Sequence, residues 1–257
     1  MNLAHLVGDT LVIAKRSMLR IPRQPDLLVG FTVQPIMFVL LFVYVFGGAI
    51  ETPGFGDYTQ FLIPGIIVQS VVFGGFVTAL GLSEDIKKGL IDRFRSLPMW
   101  GPAVVAGRTL ADVVTNIVQL VVMFGVGFAV GFRFTAPVLE VIAGIGLLLL
   151  IGYAFSWVFA LIGLTASSPE AANAFGFTVL FPVTFVSAAF VPPGSMPGWL
   201  QPVAIHNPFS TMVDAARALF LDVPAGSSVW LAIVWCLAII AVAGPLAAWR
   251  YRRAVAH

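Results

Sequence analysis

LSEDIKKGLIDRFRSLPMWGPAVVAGRTLAD, residues 82–112, decides the fold. It concentrates Glu84, Asp85, Lys87, Lys88, Asp92, Arg93, Arg95, Arg108 and Asp112, nine of the 26 charged side chains in a chain of 257 residues. Apolar runs long enough to cross a membrane flank it on both sides, so the island reads as a water-exposed connection between two helices in lipid. Composition agrees: the chain is 59% hydrophobic and 10% charged with a mean hydropathy of +0.99, against roughly 25% charged residues in ordinary soluble domains. These features predict a single-domain, all-α integral membrane protein spanning residues 1–257.

A helix needs about 20 mostly apolar residues to cross a hydrocarbon core of roughly 30 Å. Six charge-free stretches meet that requirement: Leu27 to Ala49, Phe61 to Leu82, Val113 to Gly131, Val141 to Leu164, Ala171 to Val191, and Val229 to Trp249. After Val191 the apolar sequence continues, but Pro192, Pro193, Pro197, Pro202 and Pro208 interrupt it. Residues 192–228 are therefore expected to form a re-entrant segment between spans five and six.

Lys and Arg resist translocation and so set orientation. With six spans, twelve of the 14 basic side chains share one side and only Arg133 and Arg217 lie on the other. Both termini and the island are expected to be cytoplasmic, and residues 192–228 to face out. Near the N-terminus, Leu3, Leu6, Val7, Thr10, Leu11, Ala14, Met18 and Ile21 recur at helical spacing, and Pro22 and Pro25 follow. Residues 1–26 thus read as an amphipathic interfacial helix, serving either as a lipid anchor or as a link to a cytosolic partner. The first span follows too long a polar lead to be a secretory signal.

Within the island, Ser83 is placed to cap a helix with Glu84 and Asp85 in its first turn. Ile86, Leu90, Phe94 and Leu97 then make one apolar stripe, and Pro98 stops the helix. Its mixed charge fits a protein surface opposite it, with a passive interfacial helix as the other reading. Inside the spans, Gln34, Gln69, Asn116 and Gln119 are neutral polar groups that suit either a pathway for an amphipathic substrate or hydrogen bonds between helices. Arg108 and Asp112, one turn apart, are expected to pair at the cytoplasmic mouth of span three, in a structural or a gating role. Trp199, His206, Asn207 and Pro208 belong to the outer segment, where no cluster at metal-ligand spacing appears. Cys236 is the only cysteine and is expected to be a small buried apolar side chain. The basic residues follow topology and form no nucleic-acid stripe.

Glu84, Gly89, Asp92-Arg93-Phe94, Leu97-Pro98 and Ala106-Gly107-Arg108-Thr109-Leu110-Ala111-Asp112 resemble the cytoplasmic loop of type-2 ATP-binding-cassette (ABC) export permeases, especially the daunorubicin-resistance permease group. A second block follows span five: Phe185-Val186-Ser187-Ala188-Ala189-Phe190-Val191-Pro192, Met196-Pro197-Gly198-Trp199-Leu200-Gln201, His206-Asn207-Pro208 and Val213-Asp214-Ala215-Ala216-Arg217-Ala218-Leu219. The resemblance implies a permease of the bacterial cytoplasmic membrane that pairs with a second permease copy or paralogue and with ABC ATPase subunits. It further implies that Glu84, Ile86, Leu90, Asp92, Arg93 and Phe94 couple the chain to those ATPases. The chain has no phosphate-binding Gly-x-x-x-x-Gly-Lys-Ser/Thr loop, so it is not expected to be an enzyme, and ATP and Mg²⁺ belong in the ATPase. The expected cargo is an amphipathic or hydrophobic drug, lipid or lipid-linked glycan. Two rivals differ in class: an ion-coupled secondary transporter using Glu140, Asp112 and Arg108, which lacks a midplane acid and an inverted repeat, and a non-transporting scaffold for a cytosolic protein.

Overall fold

Each apolar run folds as helix, the only way a lone segment can satisfy its backbone in hydrocarbon. The computed structural model describes residues 25–88 and 102–254, with positions 10, 12 and 14. Its helices are α1 (Pro25–Leu41), continued by a π turn at Phe42–Phe46, α2 (Tyr58–Phe73), α3 (Phe76–Lys87), α4 (Pro102–Ala129), α5 (Val138–Thr165), α6 (Pro169–Phe185), α7 (Gln201–His206), α8 (Pro208–Leu221) and α9 (Ser228–Ala254). No strand occurs among the described residues. Among these residues, Tyr58–Lys87, Val104–Ala129, Val138–Thr165 and Ser228–Arg253 are long and apolar enough to cross a membrane, and Val33–Phe46 is a shorter apolar helix.

The centre is α2, buried along its whole length from Phe61 onward, together with α5, which packs against α2, α3, α4, α6, α8 and α9. Lipid is as apolar as leucine, so close backbone approach and van der Waals contact must hold such helices together. At the crossing of α5 on α3, a Cβ on Gly163 would stand 2.4 Å from the Ala79 carbonyl oxygen. The α9 helix shows the same logic: Ala232, Cys236, Ala243 and Ala247 are buried, while Trp230, Trp235, Leu237, Val242 and Leu246 point outward. Small residues face protein and large ones face lipid, the reverse of a soluble amphipathic helix.

Several boundaries depart from the expectations. The second span, Tyr58–Lys87, divides into α2 and α3 at Gly74 and Gly75, where the backbone stays helical but the ladder tightens to i→i−3 bonds at Gly75, Val77 and Thr78. Ser83 does not cap a new helix: it lies buried inside α3, because nothing between Phe76 and Lys87 breaks the helix, and Glu84 and Asp85 sit near its C-terminal end. The helix that carries the third apolar run begins at Pro102, a residue suited to the first helical turn, ahead of the charge-free stretch from Val113, so Arg108 and Asp112 are well inside α4. The stripe residues Leu90, Phe94 and Leu97 and most of the N-terminal amphipathic helix lie outside the described residues.

Candidate coupling and translocation site

At the end of the molecule that carries Lys87, the chain assembles a charged latch on an apolar base. Arg108 Nη1 of α4 donates to Asp85 Oδ2 of α3 at 2.7 Å, and both side chains are largely buried. The expected pairing of Arg108 with Asp112 is thereby corrected. Arg108 can cross to α3 because position 81 is glycine: a Cβ there would lie 1.4 Å from Arg108 Nη2. Glu84 accepts from Lys88 Nζ at 2.9 Å in an exposed i,i+4 pair. Ile86 packs on a small core of Leu82, Val104, Val105, Ala160, Leu164, Ala247 and Tyr251, which joins α3, α4, α5 and α9. Leu90, Asp92, Arg93 and Phe94 follow outside the described residues. Nearby, Ser168 caps α6, its Oγ accepting from Ala171 N at 3.1 Å.

Above the latch, Asp112, Thr115, Asn116 and Gln119 form a buried polar seam on α4. Asn116 is wedged between two glycines: a Cβ on Gly74 would stand 2.4 Å from its Oδ1, and one on Gly152 would stand 2.2 Å from its Nδ2. Asp112 Oδ2 and both amide atoms of Asn116 have no hydrogen-bond partner among the described residues. Asp112→Asn keeps size and hydrogen-bonding capacity while removing a charge that has no counter-ion in direct contact, so permease yield and export should stay within about twofold of the parent. Arg108→Ala, which strands Asp85, should depress both; equal losses in the two variants, read by fluorescence-detected gel filtration and vesicle transport, would restore the Arg108–Asp112 pairing.

The four neutral polar residues of the spans do not share one wall. Gln34 and Gln69 meet at a crevice of about 10 Å³ between α1 and α2, while Asn116 and Gln119 face Gly74. Gln69 Nε2 donates to Thr184 Oγ1 at 3.1 Å, a bond between α2 and α6. What runs continuously is aromatic. Phe42 stacks on Phe190 (4.9 Å between centroids), Phe190 on Phe185 (4.7 Å) and Phe185 on Phe181 (4.3 Å). Phe181 leads to Phe177 (6.3 Å), Phe177 to Phe76 (4.7 Å) and Phe76 to Phe159 (4.4 Å). This file of rings joins α1, α6, α3 and α5.

At the other end the residues expected in an outer segment prove to be builders. Asn207 Oδ1 accepts from Phe209 N at 2.9 Å and so caps α8, whose first residue is Pro208. The Asn207 amide also donates to the Val183 and Val186 carbonyls at 2.7 and 2.6 Å, tying α8 to the end of α6. His206 is exposed, its Nδ1 2.8 Å from the Pro202 carbonyl, and Trp199 is exposed. The sequence reading missed the strongest anchor of this region. Arg217, counted there as an outward-facing charge and quoted within the second family block but given no role, is almost completely buried. Its Nε donates to Phe61 O (2.9 Å), Nη1 to Asp214 Oδ1 (3.0 Å), and Nη2 to Ala188 O (2.7 Å) and Ala189 O (3.1 Å). The guanidinium also lies 3.5 Å from the centre of the Phe61 ring. Residues 187–190 turn irregularly while buried, and such backbone is tolerated at depth only when protein groups satisfy it. Arg217 does so, assisted by Tyr58 Oη donating to Phe190 O at 2.8 Å and by Ser210 Oγ accepting from Ala188 N at 2.9 Å. The signal was present in sequence as Asp214 and Arg217 one turn apart amid alanines.

Comparison with known proteins fits this architecture. Residues 9–221 match the ABC-2 type transporter family. The chain is 37% identical over 254 residues to the daunorubicin resistance ABC transporter permease protein DrrB1 of Streptomyces coeruleorubidus, covering 99% of this chain and 89% of that protein. It is 28% identical over 259 residues to the probable doxorubicin resistance ABC transporter permease protein DrrC of Mycobacterium tuberculosis, covering 100% and 93%. A putative transport permease, ycf38, of Cyanophora paradoxa is 24% identical over 221 residues, covering 83% and 74%. An apolar bundle of spanning helices and a family match across most of its length lead to one assignment: the chain is a multi-pass membrane permease of the ABC-2 type transporter family.

Proposed function

We propose that this permease exports amphipathic or hydrophobic compounds, including drugs, across the bacterial cytoplasmic membrane, driven by separate ATPase subunits that bind ATP and Mg²⁺. The observation that supports the cargo class is the partly exposed part of the phenylalanine file, Phe42, Phe177, Phe181 and Phe185, which presents apolar, polarizable rings and no fixed charge, backed by the buried rings of Phe190, Phe76 and Phe159. The relatives named for daunorubicin and doxorubicin resistance point the same way. The rival ion-coupled transporter is set aside by the family assignment.

In this reading the chain crosses the membrane six times. Two further crossings join the four long helices: α1 with its π turn, 22 residues or about 33 Å, and α6, 17 residues or about 26 Å. Both termini are cytoplasmic, residues 1–26 lie along the inner surface against lipid, and residues 192–228 re-enter from outside. The gathering of Tyr251 with Leu82 and Val104 supports this orientation, because it brings the basic C-terminal turn to the end that holds Lys87, Lys88 and Arg108. A second permease copy or paralogue completes the pathway.

Residues 83–112 transmit the ATPase motion, with Glu84, Ile86, Leu90, Asp92, Arg93 and Phe94 as the contact surface. Apolar anchors at the centre of a small interface carry 2 kcal/mol or more, and rim charges about 1 or less. Leu90→Ala with Phe94→Ala should therefore release the ATPase or uncouple hydrolysis from export, whereas Lys88→Ala should have little effect. Co-purification and transport are measured on the same vesicles. Full binding with full export by the double variant would overturn the coupling role.

A further inference from the structure

Beside the buried Arg217 lies a cavity of about 540 Å³, open to solvent and within the size range of small-molecule sites, about 300–1,000 Å³. The loop before α2, the α8 helix and the loop into α9 enclose it. Its walls carry one anion and one cation, Asp214 and Arg217, with the hydroxyls of Thr211 and Ser227. The two charges are not equally committed. Asp214 is about half exposed and uses Oδ1 for Arg217, leaving Oδ2 as an acceptor. Of the five N–H donors of Arg217, four are engaged by Phe61, Asp214, Ala188 and Ala189, leaving one on Nη1. The cavity is neutral overall but polarised, so it favours neither a plain cation nor a plain anion. A ligand carrying both charges a few bonds apart matches it.

The apolar side of the cavity adds the second half of the ligand. Leu231 forms part of its wall and is itself exposed, continuing into Trp230, Val234 and Trp235 on the outer surface of α9. A molecule whose head enters the cavity can therefore lay its chains along α9 within the bilayer, without leaving lipid.

We propose that this cavity binds the headgroup of a zwitterionic aminophospholipid. Its ammonium sits on Asp214 Oδ2, and its phosphate oxygens receive hydrogen bonds from Arg217 Nη1, Thr211 and Ser227. A primary ammonium donates hydrogen bonds to a carboxylate and a quaternary one does not, so phosphatidylethanolamine is preferred to phosphatidylcholine. Assignment of the site to the outer leaflet rests on the orientation proposed above; the binding chemistry does not.

The test is lipid retention by the purified full-length permease, released from nanodiscs of equal parts phosphatidylethanolamine, phosphatidylcholine and phosphatidylglycerol and weighed by native mass spectrometry. The parent should retain phosphatidylethanolamine over each of the others by about tenfold, the difference one charge-assisted hydrogen bond supplies. Asp214→Asn should erase that preference. Ala225→Trp, which fills the cavity without touching either charge, should abolish retention of the bound lipid, and it decides the matter if Asp214→Asn fails to fold. Equal retention of phosphatidylethanolamine and phosphatidylglycerol by the parent, or parental retention by a folded Ala225→Trp variant, overturns the proposal. If dodecylammonium displaces the lipid and dodecyl sulfate does not, the Asp214 contact is supported and amine-bearing amphiphiles become competing occupants. Labelling of Gly226→Cys from the cytoplasmic side alone would reverse the leaflet and the topology while leaving the binding result standing.

Discussion

Arg217→Met is expected to yield little folded permease. The substitution keeps an unbranched side chain of similar reach but removes every donor, leaving the carbonyls of Phe61, Ala188 and Ala189 and the Asp214 carboxylate without the group that satisfies them. Removing one partner of a buried, hydrogen-bonded charge costs roughly 3–5 kcal/mol, a large part of the stability of an ordinary domain. Arg217→Lys fares little better, because one ammonium reproduces neither the planar fork nor the stacking on Phe61. Asp214→Asn is much milder, since that side chain is half exposed. The measurement is monodisperse yield and thermal unfolding in detergent. Parental stability of Arg217→Met would mean that the buried turn at residues 187–190 holds without its arginine.

Gly81→Ala is expected to assemble but to export at less than about a tenth of the parental rate, a change of about 1.4 kcal/mol or more, through loss of the Arg108–Asp85 pair. Alanine favours a helix by up to about 1 kcal/mol over glycine, so propensity alone predicts a gain in stability. The added methyl, however, occupies the space of the Arg108 guanidinium and breaks its 2.7 Å contact with Asp85. The charge-swapped pair Asp85→Arg with Arg108→Asp restores part of the export, whereas swapping Arg108 with Asp112 does not. Both variants are read by transport in vesicles against ATPase co-purification. Parental export by Gly81→Ala would show that the latch is dispensable.

The all-helical membrane architecture was legible from length and charge alone, because hydrocarbon imposes helix on any lone crossing segment, and four of the six expected spans are matched by helices long and apolar enough to cross. Partnership was less so. Arg108 has an acid four residues away and another 23 residues away, and only the packing of α3 on α4, through Gly81, selects the distant one. Ser83 carries the local signature of a cap, yet no breaker precedes it and α3 runs through. Asn207 and Pro208 were singled out as members of the proline-rich segment after span five, but their task of fastening α8 to α6 depends on carbonyls more than 20 residues upstream. Arg217 was overlooked for a related reason: counting basic residues for topology treats each as a marker of side and says nothing about backbone left bare by a turn.

The tightened turn at Gly74 and Gly75, with no side chain to brace it, would give the second span leverage. The inner rod, α3, is 12 residues long, about 18 Å, so a sideways displacement of about 2 Å at Lys87 corresponds to a rotation of roughly 6° about that turn. Because α2 is enclosed on all sides, such a rotation is spent at the joint, where Phe76 bears on Phe159 and Phe177. In the coupling proposed above, a small push on the end of α3 would be delivered as a swivel of aromatic rings near the middle of the span. Side chains added at either glycine, against Asn116 at Gly74 or Phe159 at Gly75, would act as a chock in the axle.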